Sequence, residues 1–249
     1  MKKVLVASAV LTSCVFANIS DTELTDFYKD MVKNPKISIS VEKRSKIKDS
    51  NLEQFIVKFS DGIKNHEEII FSDGKYLYPE VIDPKNKKLF AAEYYKAQEK
   101  LAKKAGYKKL ASLIKSLPKD KKISLGNDAQ KETVYLFTDP LCPYCKEAMK
   151  QIDSALKNKN LIIIFAPIPP HGEEAFAKSA MILKEAKSAK NDEQKIAILK
   201  KWFSNDASFP KEITKDEIKN ASDLADKVYA TGAIRGVPDS INSKDLQGL

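Results

Sequence analysis

Hydrophobic positions near the start of the folded region fall at helical spacing. Leu24, Phe27, Tyr28 and Met31 share one face of a helix running to about Lys33, with Ser20 or Asp21 as its cap. The pattern then alternates. Lys36–Val41 switches strictly between polar and apolar residues, and strand-like runs follow at Leu52–Phe59, Glu68–Phe71 and Lys75–Ile82. Ser60-Asp61-Gly62 and Ser72-Asp73-Gly74 supply turns between them. Residues 18–83 thus read as a small α+β domain, with His66 in an exposed loop. Residues 84–125 read as a lysine-rich helical linker bracketed by Pro84 and Pro118, with Leu110, Leu113, Ile114 and Leu117 on one face. Gly106 weakens that helix by roughly 1 kcal/mol relative to alanine and marks a bend. Residues 126–249 form a further domain. Its apolar runs Val134–Phe137 and Leu161–Phe165 are short, continuous and β-branched or aromatic, as buried strands require. Three helical stretches follow, near Glu173–Ala189, Asp192–Phe203 and Asp216–Tyr229.

The leader changes the picture of location. Met1-Lys2-Lys3 is basic, Val4–Val15 is mostly apolar, and Val15-Phe16-Ala17 ends on a small residue. Residues 1–17 are a secretory signal, too short to span a membrane as a mature helix. Cleavage after Ala17 lowers the formal net charge of +9 by two and removes Cys14. Leu11-Thr12-Ser13-Cys14 also passes as a loose lipoprotein signal, with Cys14 acylated. Both routes lead to an oxidising compartment. The remaining basic charge is mostly lysine spread along the chain. Arg44 and Arg235 are the only arginines, and no basic-aromatic cluster points to nucleic acid.

The candidate chemistry lies between the two buried strands. Val134–Thr138 is followed by Asp139-Pro140-Leu141-Cys142-Pro143-Tyr144-Cys145 and then by good helix formers from Lys146. Pro143 suits the first helical turn, whose amides lack intrahelical partners. Cys142 then sits at a helix N-terminus, where unpaired amides and the helix dipole stabilise a thiolate. Cys145 is one turn further on, within reach for a reversible disulfide. The rival reading of Cys-x-x-Cys is half a zinc site, but zinc wants about four ligands. Only Cys14, His66 and His171 remain as candidates, at no ligand-like spacing. No metal or cofactor is expected. A purely structural disulfide closing so short a loop constrains little of the unfolded chain.

Phe137-Thr-Asp-Pro-Leu-Cys-Pro-Tyr-Cys145 resembles the active-site segment of the periplasmic disulfide isomerases DsbC and DsbG. The resemblance implies a thioredoxin-like domain with a helical insertion, here at about 172–231. It is preceded by a small dimerisation domain and a helical linker that acts as a spacer. Such folds carry a cis-proline facing the dithiol. Thr231-Gly-Ala-Ile-Arg-Gly-Val-Pro238 matches that motif, which makes Val237 and Pro238 the substrate-binding candidates. Cys142 would be the exposed nucleophile, Cys145 the buried resolving cysteine, and Pro143 and Tyr144 would tune the redox poise. The implied activity is thiol:disulfide oxidoreductase or disulfide isomerase, acting on misoxidised exported proteins and kept reduced by a DsbD-like membrane partner. Val237 departs from the usual threonine of that group and is typical of DsbA. This leaves open a disulfide-forming oxidase served by a DsbB-like partner. A redox-independent homodimeric holdase chaperone is the third reading. Two further departures stand out. Leu136 occupies the position where thioredoxins place a buried acid, and Asp139 is read as a turn former. Only eleven residues follow Pro238, where the usual fold adds two strands and a helix. His171 is read as a capping or surface residue.

Overall fold

The computed structural model describes residues 19–247; the expected signal segment 1–17 and Cys14 lie outside them. The chain divides into two compact units, residues 1–98 and 99–249.

In the first unit, helix α1 (Asp21–Val32) starts at Ser20, whose hydroxyl accepts from the Glu23 amide while the Glu23 carboxylate accepts from the Ser20 amide. This reciprocal pair satisfies two otherwise orphaned donors. The helix covers an antiparallel sheet of order β1-β2-β3-β4, built from Ser38–Lys46, Glu53–Ser60, Asn65–Ser72 and Leu77–Tyr78. Leu24 and Tyr28 pack on Phe55, Val57 and Ile70. The opposite sheet face holds Ile56, Ile69 and Phe71. Phe27 and Met31 were expected in the same apolar face as Leu24, but they are exposed. A narrow i, i+4 stripe is enough to seat a three-turn helix on this sheet, and the neighbouring positions turn away from it. His66 lies in strand β3 rather than in a loop, beside the ring of Phe59. A small two-stranded ribbon, β5 (Ile82–Asp83) with β6 (Lys88–Leu89), precedes helix α2 (Phe90–Ser116).

The second unit is built on a four-stranded sheet of order β10-β8-β9-β7. Strands β8 (Glu132–Thr138) and β9 (Lys159–Phe165) run parallel; β7 (Ile123–Leu125) and β10 (Asp239–Asn242) flank them antiparallel. Both faces are buried, which is why the two central strands read as unbroken apolar runs. Val134, Leu161, Ile163 and Phe165 point into one core with Met149, Ile182, Leu199 and Phe203. Phe137 and Ile164 point into the other, with Leu110, Ile114, Leu224 and Val228. Helices α3 (Pro143–Lys150) and α4 (Ile152–Leu156) follow β8, with a break at Gln151. Helices α5 (Gly172–Ala186), α6 (Asp192–Phe203) and α7 (Lys215–Ala230) form the insertion. The last of them opens on a capping box, Thr214 with Glu217.

Three expectations change here. The domain was expected from Gly126, yet Ile123–Leu125 already pairs with Leu161–Ile163 in its sheet. The C-terminal part of the expected linker also belongs to this unit, because Leu110 and Ile114 are buried in its second core. After Pro238 the described residues add β10 at the sheet edge and a single 3-10 turn, Ser243–Leu246. An edge tolerates the polar Asp239–Asn242 run that a central position would not. Ile241 and Leu246 turn inward and seal the second core.

Gly106 is a point of close approach rather than a bend. A Cβ there would stand 3.0 Å from the Ala233 nitrogen and 3.1 Å from the Thr231 carbonyl oxygen. These are backbone atoms of the segment leading to Pro238, and they cannot swing aside. Gly106→Ala gains roughly 1 kcal/mol in helix propensity, but the clash outweighs it. We expect a net loss of about 1–2 kcal/mol, read as a lower urea midpoint; a raised midpoint would show that the 231–233 segment yields freely.

Candidate dithiol active site

Strand β8 ends at Thr138, and the chain turns through Asp139-Pro140-Leu141. The Cys142 amide donates to the Asp139 carbonyl oxygen at 3.2 Å, closing the turn. The Asp139 side chain is wholly buried. Its Oδ1 accepts from the Leu141 amide at 2.8 Å, the Asx turn expected of it. Its Oδ2 accepts from the Ile168 amide at 3.1 Å and lies 2.7 Å from His171 Nδ1. A carboxylate oxygen only accepts, so Nδ1 carries the proton in that pair. His171 therefore belongs to the site and is not a surface cap. The parallel register explains this: Thr138 stands opposite Phe165, and Ala166 donates to the Thr138 carbonyl oxygen at 2.9 Å. The segment after β9 must then pass beside the Asp139 turn.

Cys142 is the N-cap of α3 and Pro143 its first residue. The cap makes no side-chain hydrogen bond, so the first-turn amides stay open toward the sulfur. Cys142 and Cys145 are both free thiols. Cys142 was expected to be exposed, but only 6% of its surface is. The reason is the segment before β10: the Val237–Pro238 bond is cis, and the Cys142 thiol donates to the Val237 carbonyl oxygen across 3.5 Å. Tyr144, between the cysteines, is 77% exposed. Cys145 is fully buried. Burial pushes its thiol up to about 12, against the influence of the neighbouring Thr138 hydroxyl and Asp139 amide, which lower it.

The structure thus brings together Cys142, Pro143, Tyr144, Cys145, Val237 and Pro238. Sequence reasoning passed over two neighbours, Thr138 and Tyr229, and gave Asp139 a turn-forming role alone. Thr138 is buried beside Cys145. Tyr229 on α7 donates to the Ala166 carbonyl oxygen at 2.8 Å. Burial, reinforced by the nearby charges of Asp139, Cys145 and Cys142, pushes its phenol up to about 12. Asp139 carries the contact to His171. The Thr-Asp pair before the first cysteine was a visible signal; Tyr229 left none, because it reads as one more helical apolar position. Chemically, two thiols one helical turn apart, the first under open amides and the second buried, can exchange electrons with a disulfide.

A parallel β-α-β unit with this dithiol at its helix N-terminus, and a cis-proline segment leading into an antiparallel edge strand, defines the thioredoxin fold. Residues 118–240 match the thioredoxin family model. The Helicobacter pylori DsbG structure is 20% identical, with a TM-score of 0.51, covering 88% of this chain and 98% of its own. A Proteus mirabilis ScsC linker-deletion mutant is 18% identical (TM-score 0.47), covering 61% of this chain and 78% of its own. Wolbachia pipientis α-DsbA2 is 18% identical (TM-score 0.40), covering 59% and 87%. No curated protein matches. The chain carries a thioredoxin-family domain with a helical insertion behind an N-terminal α+β domain, and in fold it is DsbC/DsbG-like.

Two predictions follow from this geometry. Asp139→Ala strands the Leu141 and Ile168 amides and the His171 ring, so it should cost about 2–5 kcal/mol in urea unfolding. A loss below about 1 kcal/mol would mean that water replaces the carboxylate. The second concerns pH. Cys145 has an ordinary value of 9.0 and a folded value of about 12. The folded chain therefore keeps a proton that the unfolded chain releases. That contribution to stability is full below pH 9 and shrinks as pH rises toward 12. Relative to wild type, Cys145→Ala should lose this alkaline decline of the dithiol form.

Proposed function

We propose that the protein is a thiol:disulfide oxidoreductase of the periplasm that rearranges disulfides in exported proteins, an isomerase or broad-range exchange enzyme. One observation carries the reading: the Cys142 thiol at the open N-terminus of α3, one turn from the buried Cys145 thiol and held against the Val237 carbonyl. In this reading the Cys142 thiolate attacks a substrate disulfide and Cys145 resolves the mixed disulfide. Pro143 and Tyr144 set the redox poise, and the Val237–Pro238 segment lies where a substrate chain would run beside Cys142. Substrates are misoxidised or unfolded exported proteins, and a DsbD-like membrane reductant regenerates the dithiol. Signal-directed export of residues 18–249 fits the absence, among the described residues, of any helix long and apolar enough to cross a membrane.

The first unit serves as a homodimerisation domain in this proposal. Its edge strand β1 is largely exposed, and Phe27, Met31 and Ile63 leave apolar surface uncovered. Such edges and patches favour association with a second chain. The opposite redox reading, a DsbA-like oxidase kept disulfide-bonded by a DsbB-like partner, draws on Val237.

Acid trapping of cells followed by alkylation with a mass tag decides between the two. We expect Cys142 and Cys145 mostly reduced, and Cys145→Ser to accumulate Cys142-linked mixed disulfides that Cys142→Ser abolishes. A mostly oxidised pair would overturn the isomerase assignment in favour of the oxidase. Failure of Cys145→Ser to trap any partner would overturn the exchange mechanism itself.

A further inference from the structure

The site contains a polar group with no present employment. Thr138 is 1% exposed, and its Oγ1 has no hydrogen-bond partner among the described residues. Buried hydroxyls are nearly always satisfied, so an orphan calls for a cause. Its surroundings supply one. The Thr138 hydroxyl and the amide of the next residue, Asp139, are the neighbouring groups that lower the Cys145 pKa. A neutral thiol is too weak an acceptor to hold a hydroxyl in hydrogen-bond geometry. A thiolate is a strong one, and hydrogen bonds to charged groups are roughly twice as strong as neutral ones. The Asp139 amide is in turn fixed by the buried carboxylate that clamps its own turn.

We propose that the Thr138 hydroxyl and the Asp139 amide form a thiolate hole for Cys145, unfilled in the dithiol form and occupied when the Cys145 sulfur carries charge. The proposal rests on the dithiol-exchange reading and adds the group that assists its second step. In that step Cys145 gives its proton to solvent base, and its thiolate attacks the Cys142 sulfur of the mixed disulfide. The Cys142–Cys145 bond forms as the bond from Cys142 to substrate breaks. The substrate sulfur leaves with the electron pair and takes up a proton. The cysteine pair loses two electrons, and the original substrate disulfide gains them. In the oxidising direction Cys145 is the leaving thiolate instead. Charge builds on the same sulfur either way, so one hydroxyl serves both directions. Cys142 is served differently: its thiol faces the Val237 carbonyl, an acceptor, and its sulfur stands at the open first-turn amides of α3. The hole therefore discriminates between the two cysteines.

The fixed hydroxyl also has a cost that can be measured. In the dithiol form it is a desolvated group without compensation, and an isosteric apolar side chain removes that penalty. Thr138→Val should therefore raise the melting temperature of the dithiol protein, by roughly 2–4 °C, while slowing its chemistry. Few substitutions that act only by disturbing structure would do both.

The test mixes full-length reduced protein with dithiobis-nitrobenzoate, an aromatic disulfide that releases a coloured thiolate. The first equivalent of colour reports attack by Cys142, and the second reports resolution by Cys145. Thr138→Val should leave the first phase within about twofold and slow the second roughly tenfold to hundredfold, the effect of one lost charge-assisted hydrogen bond. Thr138→Ala, which also lacks the hydroxyl, should do the same, and Thr138→Ser should restore the second phase. An unchanged second phase in both apolar variants overturns the proposal, as does equal slowing of both phases or failure of serine to rescue. A wild-type protein that shows no first phase overturns the dithiol reading, and the thiolate hole with it.

Discussion

A carboxylate without solvent contact, that of Asp139, ties the dithiol to the rest of its domain. One oxygen holds the turn that presents Cys142; the other holds the segment after β9 through Ile168 and His171. Its partners lie 29 and 32 residues away in sequence. They meet only because β8 and β9 pair in parallel with Thr138 opposite Phe165. A buried carboxylate is tolerable when each oxygen is paired, and costly when it is not. This makes the turn before Cys142 and the sheet register mutually dependent.

The sheet sets the second condition. Both of its faces are covered, so the site sits at the end of a fully buried strand and not on an open surface. That placement separates the two thiols in character. Cys142 caps the helix beneath the Val237 carbonyl, near solvent but nearly covered. Cys145 faces inward against the core that includes Met149 and Phe165. Desolvation keeps its proton on, and only two donors at the end of β8 oppose that. The local electrostatics thus follow from where the strand stops.

The remaining supports are steric. Helix α2 approaches the 231–233 segment so closely at Gly106 that only a hydrogen fits, and that segment leads directly to Val237. Beyond Pro238, Ile241 and Leu246 close the second core from an edge strand and one tight turn. The segment over Cys142 is consequently held from both sides, by a helix before the sheet and by the last strand after it.

Much of this was legible in the sequence. Unbroken apolar runs announced β8 and β9, because a strand covered on both faces needs no polar positions. The Cys-Pro-Tyr-Cys spacing announced the dithiol, because a helix start is encoded by adjacent residues. The capped helices of the insertion could be read for the same reason. What pattern could not supply was every contact that depends on register between distant segments. Gly106 looked like a weak helical position, since nothing local reveals the backbone it touches. His171 looked like surface, and Tyr229 like one more helical apolar residue, because their partners arrive from other elements. Cys142 looked exposed, because the cover over it comes from residue 237. Local geometry is written in neighbouring residues; burial and hydrogen-bond partners across a sheet are decided only when the strands have paired.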